Sequence, residues 1–160
     1  MFQSSKAVKV MTAMRVILLS ALLTASCFGQ VFGTWRVNAG RSTFVGDSQP
    51  KSLMVRIEPH AKGEVLTFDR VEADGRTTSA STILYLDEKP RGFQDFGCSG
   101  TQSSRRMDSR TVEILRNCGA GEWTKYVCRA SAKPNELVLE VIEQHADGRR
   151  FERRLTLEKQ

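Results

Sequence analysis

The chain has 160 residues, 40% of them hydrophobic and 26% charged, with 24 Lys and Arg against 18 Asp and Glu for a formal charge of +6. That is one domain's length, enough to bury a core without a metal or a dense disulfide mesh. The balance excludes collagenous, low-complexity and disordered chains, and two histidines leave little material for a zinc centre or a His-based catalytic site.

Residues 1–15 carry Lys6, Lys9 and Arg15 and no acid; an apolar run from Val16 to Ala25 follows, and then Ser26-Cys27-Phe28-Gly29-Gln30. A basic start, an apolar core of about ten residues and a small-residue exit have the form of a secretory signal peptide. The run is shorter than the roughly 20 apolar residues that a membrane-spanning helix needs. Residues 1–30 are therefore expected to be a cleaved export signal, with 31–160 working in the periplasm or outside the cell. Met11 or Met14 as the start would still leave a complete signal. Leu23-Thr-Ala-Ser-Cys27 resembles a bacterial lipobox, in which Cys27 would be lipidated and would anchor the protein to a membrane. Cleavage near Gly29 or Gln30 would instead release a soluble domain. Either way three basic residues and no acid leave with the signal, so the balance of the remainder falls from +6 to +3.

After residue 30 the hydrophobic period becomes two. Leu53, Val55 and Ile57 alternate with Met54, Arg56 and Glu58; Leu137, Leu139 and Val141 alternate with Val138, Glu140 and Ile142. Phe151, Leu155 and Leu157 alternate with Glu152, Arg154 and Thr156. This is the pattern of strands with one buried and one wet face. Asp74-Gly75 and Asp147-Gly148 are hairpin turns by composition. The predicted strands are 31–38, 51–59, 64–72, 77–86, 91–96, 100–107, 111–118, 122–131, 136–145 and 149–158, with 39–50 as the one sizeable loop. Short links cannot make parallel crossovers, so successive strands are antiparallel neighbours. An all-β, up-and-down meander of this kind removes its exposed edges by closing into a barrel of 8–10 strands. The Cys…Trp…Cys pattern of an immunoglobulin-like sandwich is absent.

Gly33-Thr34-Trp35 opens the first strand, and Arg149-Arg-Phe-Glu-Arg-Arg154 lies on the last. This resembles the lipocalin-like families, whose first strand carries Gly-x-Trp and whose last supplies an arginine over the tryptophan. The stretch from Gly33 to Phe44, followed by Pro50-Lys51-Ser52, is similar to a group of exported, uncharacterised lipocalin-like (calycin-type) small β-barrel proteins typical of Acidobacteria. The resemblance implies a structural plug built from Gly33, Trp35 and an inward arginine. Alternation with Phe151, Leu155 and Leu157 makes that arginine Arg153, and a cation over an indole face gains a cation–π contact.

Chemistry is harder to find. His60, His145, Cys98, Cys118 and Cys128 show no metal-ligand spacing, so no metal is expected. No nucleophile motif, metalloprotease motif or phosphate loop occurs, so nothing supports an enzyme and no cofactor is expected. The hairpin of strands 100–107 and 111–118 brings Cys98 near Cys118. That favours a bridge between them, with Cys128 left as a buried thiol or as the partner of Cys118 across the next hairpin. Arginines at 105, 106, 110, 149, 150, 153 and 154 lack interleaved aromatics, so no nucleic-acid partner is expected.

The functional expectation is a monomeric barrel that passively binds a small apolar or amphipathic molecule and touches a membrane only through a lipid anchor at Cys27. Its expected lining is Leu53, Val55, Ile57, Leu66, Phe68, Leu84, Leu137, Leu139 and Val141. The alternative is an envelope protein-interaction or inhibitor module whose barrel core is filled.

Overall fold

The structure, a computed structural model, describes residues 31–44, 49–95 and 98–160. The predicted signal segment and the lipobox Cys27 lie outside the described residues. Ten strands follow one another: β1 (Gly33–Val37), β2 (Ser52–His60), β3 (Gly63–Val71), β4 (Thr77–Leu84), β5 (Arg91–Asp95), β6 (Cys98–Asp108), β7 (Thr111–Gly119), β8 (Glu122–Ala130), β9 (Glu136–Gln144) and β10 (Arg150–Lys159). A short 3-10 turn, Ala39–Arg41, follows β1. All ten predicted strands are present, with ends shifted by no more than two residues.

The strands form one sheet in the order β4-β3-β2-β1-β10-β9-β8-β7-β6-β5, with antiparallel pairing throughout. First and last strands are joined by Trp35↔Lys159, Arg36↔Glu158 and Val37↔Leu157, which curls the meander into a barrel. The ladder is interrupted between β4 and β5, leaving a seam. Below the seam the 85–90 segment bonds to β6: the Leu86 N–H donates to Ser104 Oγ at 3.1 Å, and the Glu88 N–H donates to the Ser104 carbonyl at 3.0 Å.

A meander sends alternate connections to opposite ends. The links β2–β3, β4–β5, β6–β7 and β8–β9, together with Val31, mark one end. It is packed solid, with Leu137 and Leu157 fully buried beside Trp35, Ile57, Leu84, Val112 and Ala130. The opposite end carries the β1–β2 link and the β3–β4, β7–β8 and β9–β10 turns, and forms the mouth.

Trp35 is buried at the floor, and its Nε1–H donates to the Val31 carbonyl at 2.9 Å. The arginine does not follow. The cation over the indole is Lys159, 5.4 Å from the ring centroid. Gly33 leaves room for that chain, since a Cβ there would lie 3.0 Å from Lys159 Cε. Arg153 sits six residues earlier on β10, about 20 Å along the strand, and is ion-paired with Glu143. The reason is register: the short β1 meets only the C-terminal end of β10.

Cys98 is joined to Cys118, with Cα atoms 5.3 Å apart, while Cys128 is a free buried thiol. The bridge stands beside a bulge after Asn117. There the β7 backbone approaches Gly100 so closely that a Cβ at that position would lie 1.9 Å from the Asn117 carbonyl oxygen.

Candidate functional site: the barrel interior

Strand alternation turns every second side chain into the lumen. All nine predicted lining residues are on the inward face. Val55 stands opposite Phe68 and Ile57 opposite Leu66, and Leu139 and Leu137 stand opposite Leu155 and Leu157. Eight of the nine are buried, and Leu53, nearest the mouth, is partly buried against the same core.

Their depth differs. Phe68 and Tyr126 come from opposite walls and meet across the lumen, ring centroids 6.0 Å apart. Ile57, Leu84, Leu137 and Leu139 belong to the packed floor with Trp35, whereas Leu53, Phe68 and Val141 are nearer the mouth. Above the aromatic pair the mouthward part of the barrel interior, the chamber, is faced by the inward and half-buried Leu53, Arg70, Thr78, Ala80, Phe93, Glu143 and Phe151.

The chamber's polar side chains are in phase with its apolar ones. Arg116 follows Val112 and Ile114 on the inner face of β7, Glu143 follows Leu139 and Val141 on β9, and Arg70 follows Leu66 and Phe68 on β3. Arg116 is the centre of a connected network. Its NH1 lies 3.0 Å from an Asp95 carboxylate oxygen, both side chains being under a tenth exposed. Its Nε–H donates to Gln102 Oε1 at 2.9 Å. The Gln102 amide then donates to Thr82 Oγ1 at 2.9 Å, which ties β6 to β4 across the seam. The guanidinium also lies 5.0 Å from the Phe93 centroid and 5.2 Å from that of Tyr126. Arg153 pairs with Glu143, and Arg70 Nε lies 2.9 Å from Glu72 Oε1 just past the end of β3.

Deeper in the barrel, Glu64 is buried and ion-paired with Arg106, linking β3 to β6. Burial pushes the Glu64 carboxyl above its usual range, against the opposing pull of Arg106. The same surroundings push the Cys128 thiol up to about 12, chiefly through burial and secondarily through the charge of Glu64. Burial also raises the Tyr126 phenol, with Arg116 acting the other way. A thiol held this high is mostly protonated at neutral pH and is a poor nucleophile.

The seam opens outward as a cleft of about 270 Å³ whose walls include Thr82, Tyr85, Arg91, Phe93, Asp95 and Gln102. It gives access from the surface to the Arg116 network. At its rim Arg91 holds Asp87 by two bonds of 2.7 Å and stacks 3.8 Å above the Tyr85 centroid. Among the described residues no group of three His, Cys, Asp or Glu side chains is placed to hold a metal ion. His60 and His145 are both exposed.

Sequence reasoning missed Arg70, Asp95, Gln102, Arg116, Tyr126 and Glu143 as interior groups. The available signal was phase: each shares the parity of its strand's inward residues. Charge in a lumen-facing position is so costly when unpaired that such a residue reads as the end of a buried stretch. Only the partner from another strand removes that objection.

No family model matches the sequence, and no curated protein matches it. The structure does match solved proteins. A Schistosoma mansoni fatty acid binding protein in complex with arachidonic acid aligns with a TM-score of 0.55 at 8% identity, over 84% of this chain and 97% of that one. The apo form of Caenorhabditis elegans lipid binding protein 8 aligns with a TM-score of 0.58 at 7% identity, over 82% and 96%. At such identities the likeness is one of fold: the chain is similar in architecture to the calycin barrels of the fatty-acid-binding type.

Proposed function

We propose that the barrel is a passive binder of one small hydrophobic or amphipathic molecule, a lipid in the broad sense. The observation that carries this reading is the layered interior. An apolar floor lies below the Phe68–Tyr126 pair, and inward-facing, only half-buried apolar and hydrogen-bonding side chains lie above it. A concave, mostly apolar enclosure with a few convergent polar groups is the general form of a small-molecule site. The shared architecture with a fatty acid binding protein and a lipid binding protein supports the reading. Export completes it: residues 1–30 have the form of a signal peptide, and a disulfide suits an oxidising compartment. In that setting the monomeric domain works outside the cytoplasm, released or held by a lipid on Cys27.

The test is native mass spectrometry of protein purified from its own host's envelope, followed by organic extraction, alongside titration with the neutral dye Nile red. A retained lipid mass and saturable dye binding are expected. Ala80→Trp, which fills the chamber from β4 opposite Phe68, should abolish dye binding while far-UV circular dichroism stays unchanged. Neither retained lipid nor dye binding by the unsubstituted protein would overturn the proposal.

A further inference from the structure

The charges of the chamber narrow the ligand's head group, an inference that rests on the lipid-binding reading above. Each inward arginine of the upper interior already faces a carboxylate of the chain. Arg116 has Asp95, Arg153 has Glu143 and Arg70 has Glu72. An alkyl carboxylate entering this chamber has two options. It can lie beside a neutralised guanidinium and meet repulsion from Asp95 or Glu143. Alternatively it can displace one of those acids, which costs the charge-assisted contact that the acid makes with its arginine. An uncharged head group escapes both. Its oxygen accepts from guanidinium N–H groups beyond those already engaged, since each arginine carries five. Its hydroxyl donates to a carboxylate oxygen without adding a like charge. Thr78 Oγ1, on the inward face of β4 opposite Arg70, adds a buried hydroxyl that has no hydrogen-bond partner among the described residues. We infer that the barrel takes a lipid with an uncharged, hydroxyl-bearing head group in preference to a free fatty acid.

The experiment is displacement of Nile red by hexadecan-1-ol and by hexadecanoate, two probes of equal chain length delivered from the same cyclodextrin at neutral pH. Hexadecan-1-ol is expected to bind more tightly by about tenfold or more, the equivalent of one carboxylate–carboxylate repulsion in a partly screened site. Asp95→Asn frees Arg116 of its counter-charge and should tighten hexadecanoate by a similar factor while leaving the alcohol nearly unchanged. Glu143→Gln should act in the same direction through Arg153, and it keeps the test alive if Asp95→Asn does not fold. Equal or tighter binding of hexadecanoate by the unsubstituted protein overturns the inference and leaves the barrel a lipid binder. So does an alcohol-to-acid ratio that neither substitution moves. Dye binding with no displacement by either probe also overturns the head-group assignment, whereas failure to bind dye or probes at all removes the lipid-binding reading itself.

Discussion

Lys159 lies over the indole of Trp35, its ammonium 5.4 Å from the ring centroid, at the point where the last strand meets the first. The tryptophan is 1% exposed and has its N–H bonded to Val31, so its stabilising effect comes from burial, and the cation is an accessory. Trp35→Ala should cost about 3–5 kcal/mol through the cavity it leaves. Lys159→Met keeps the apolar stem over the ring and should cost under about 1 kcal/mol. Urea unfolding followed by far-UV circular dichroism measures both. A Lys159→Met cost as large as that of Trp35→Ala would contradict this ranking.

In the lower barrel the buried Glu64 is ion-paired with the partly exposed Arg106. Arg106→Met leaves the Glu64 carboxylate without its counter-charge and should lower stability by about 3 kcal/mol at neutral pH. Glu64 already titrates above its ordinary range because of burial, and removal of the arginine raises it further. A raised carboxyl favours the protonated form in the folded state, so the deficit relative to the unsubstituted protein should shrink as pH falls through that raised value. Urea midpoints of the two proteins compared at about pH 8 and at about pH 5, a little above the ordinary carboxyl value, provide the measurement. A deficit of equal size at both would refute the assignment.

Acid lability should come from the turns and the outer faces of the strands. Asp74, Asp108 and Asp147 are held below their usual range, first of all by backbone N–H groups of Arg76, Arg110 and Arg149. Asp87 is lowered first by its hydrogen bonds from Arg91, Glu113 by Lys125 and Glu136 by Arg41. A depressed carboxyl contributes stability that is complete above its unfolded value, about 4. That contribution is lost as pH drops through the folded value. The thermal midpoint should therefore hold down to about pH 5 and fall steadily below about pH 4. A midpoint that rose on acidification below about pH 4 would contradict this account.

The disulfide closes a loop of sequence separation 20, and replacing both Cys98 and Cys118 with serine should cost about 3 kcal/mol by chain entropy. Cys128 should behave differently. Buried and with its thiol raised to about 12, it should resist iodoacetamide at neutral pH in the native protein. In urea it should react readily. Peptide mass spectrometry reads the Cys128 fragment directly, and rapid native labelling would show that the position is open.

Much of the architecture was legible before the structure. Leu53, Val55 and Ile57 announce a strand because their spacing of two is a local property of the backbone. Asp74-Gly75 announces a turn because glycine takes the positive φ found there. The neighbourhood of Cys98 and Cys118 followed from one hairpin's register, again a short-range matter. Side-chain parity places Arg153 on the inward face of β10 with Leu155 and Leu157. What parity could not supply was its partner. Glu143 faces Arg153 because β9 and β10 pair in one register, and Asp95 reaches Arg116 from two strands away in the sheet order.

The amino-acid sequence alone thus determined the set of strands, their antiparallel succession and which residues face inward, since each depends on contacts only a hairpin long. Tertiary structure decided which cation covers Trp35, that Phe68 meets Tyr126 across the lumen, and that the interior arginines are matched by interior acids. Those relations arise when the sheet curls and its distant members meet. They depend on barrel closure and register between residues far apart in the chain, which no local periodicity encodes.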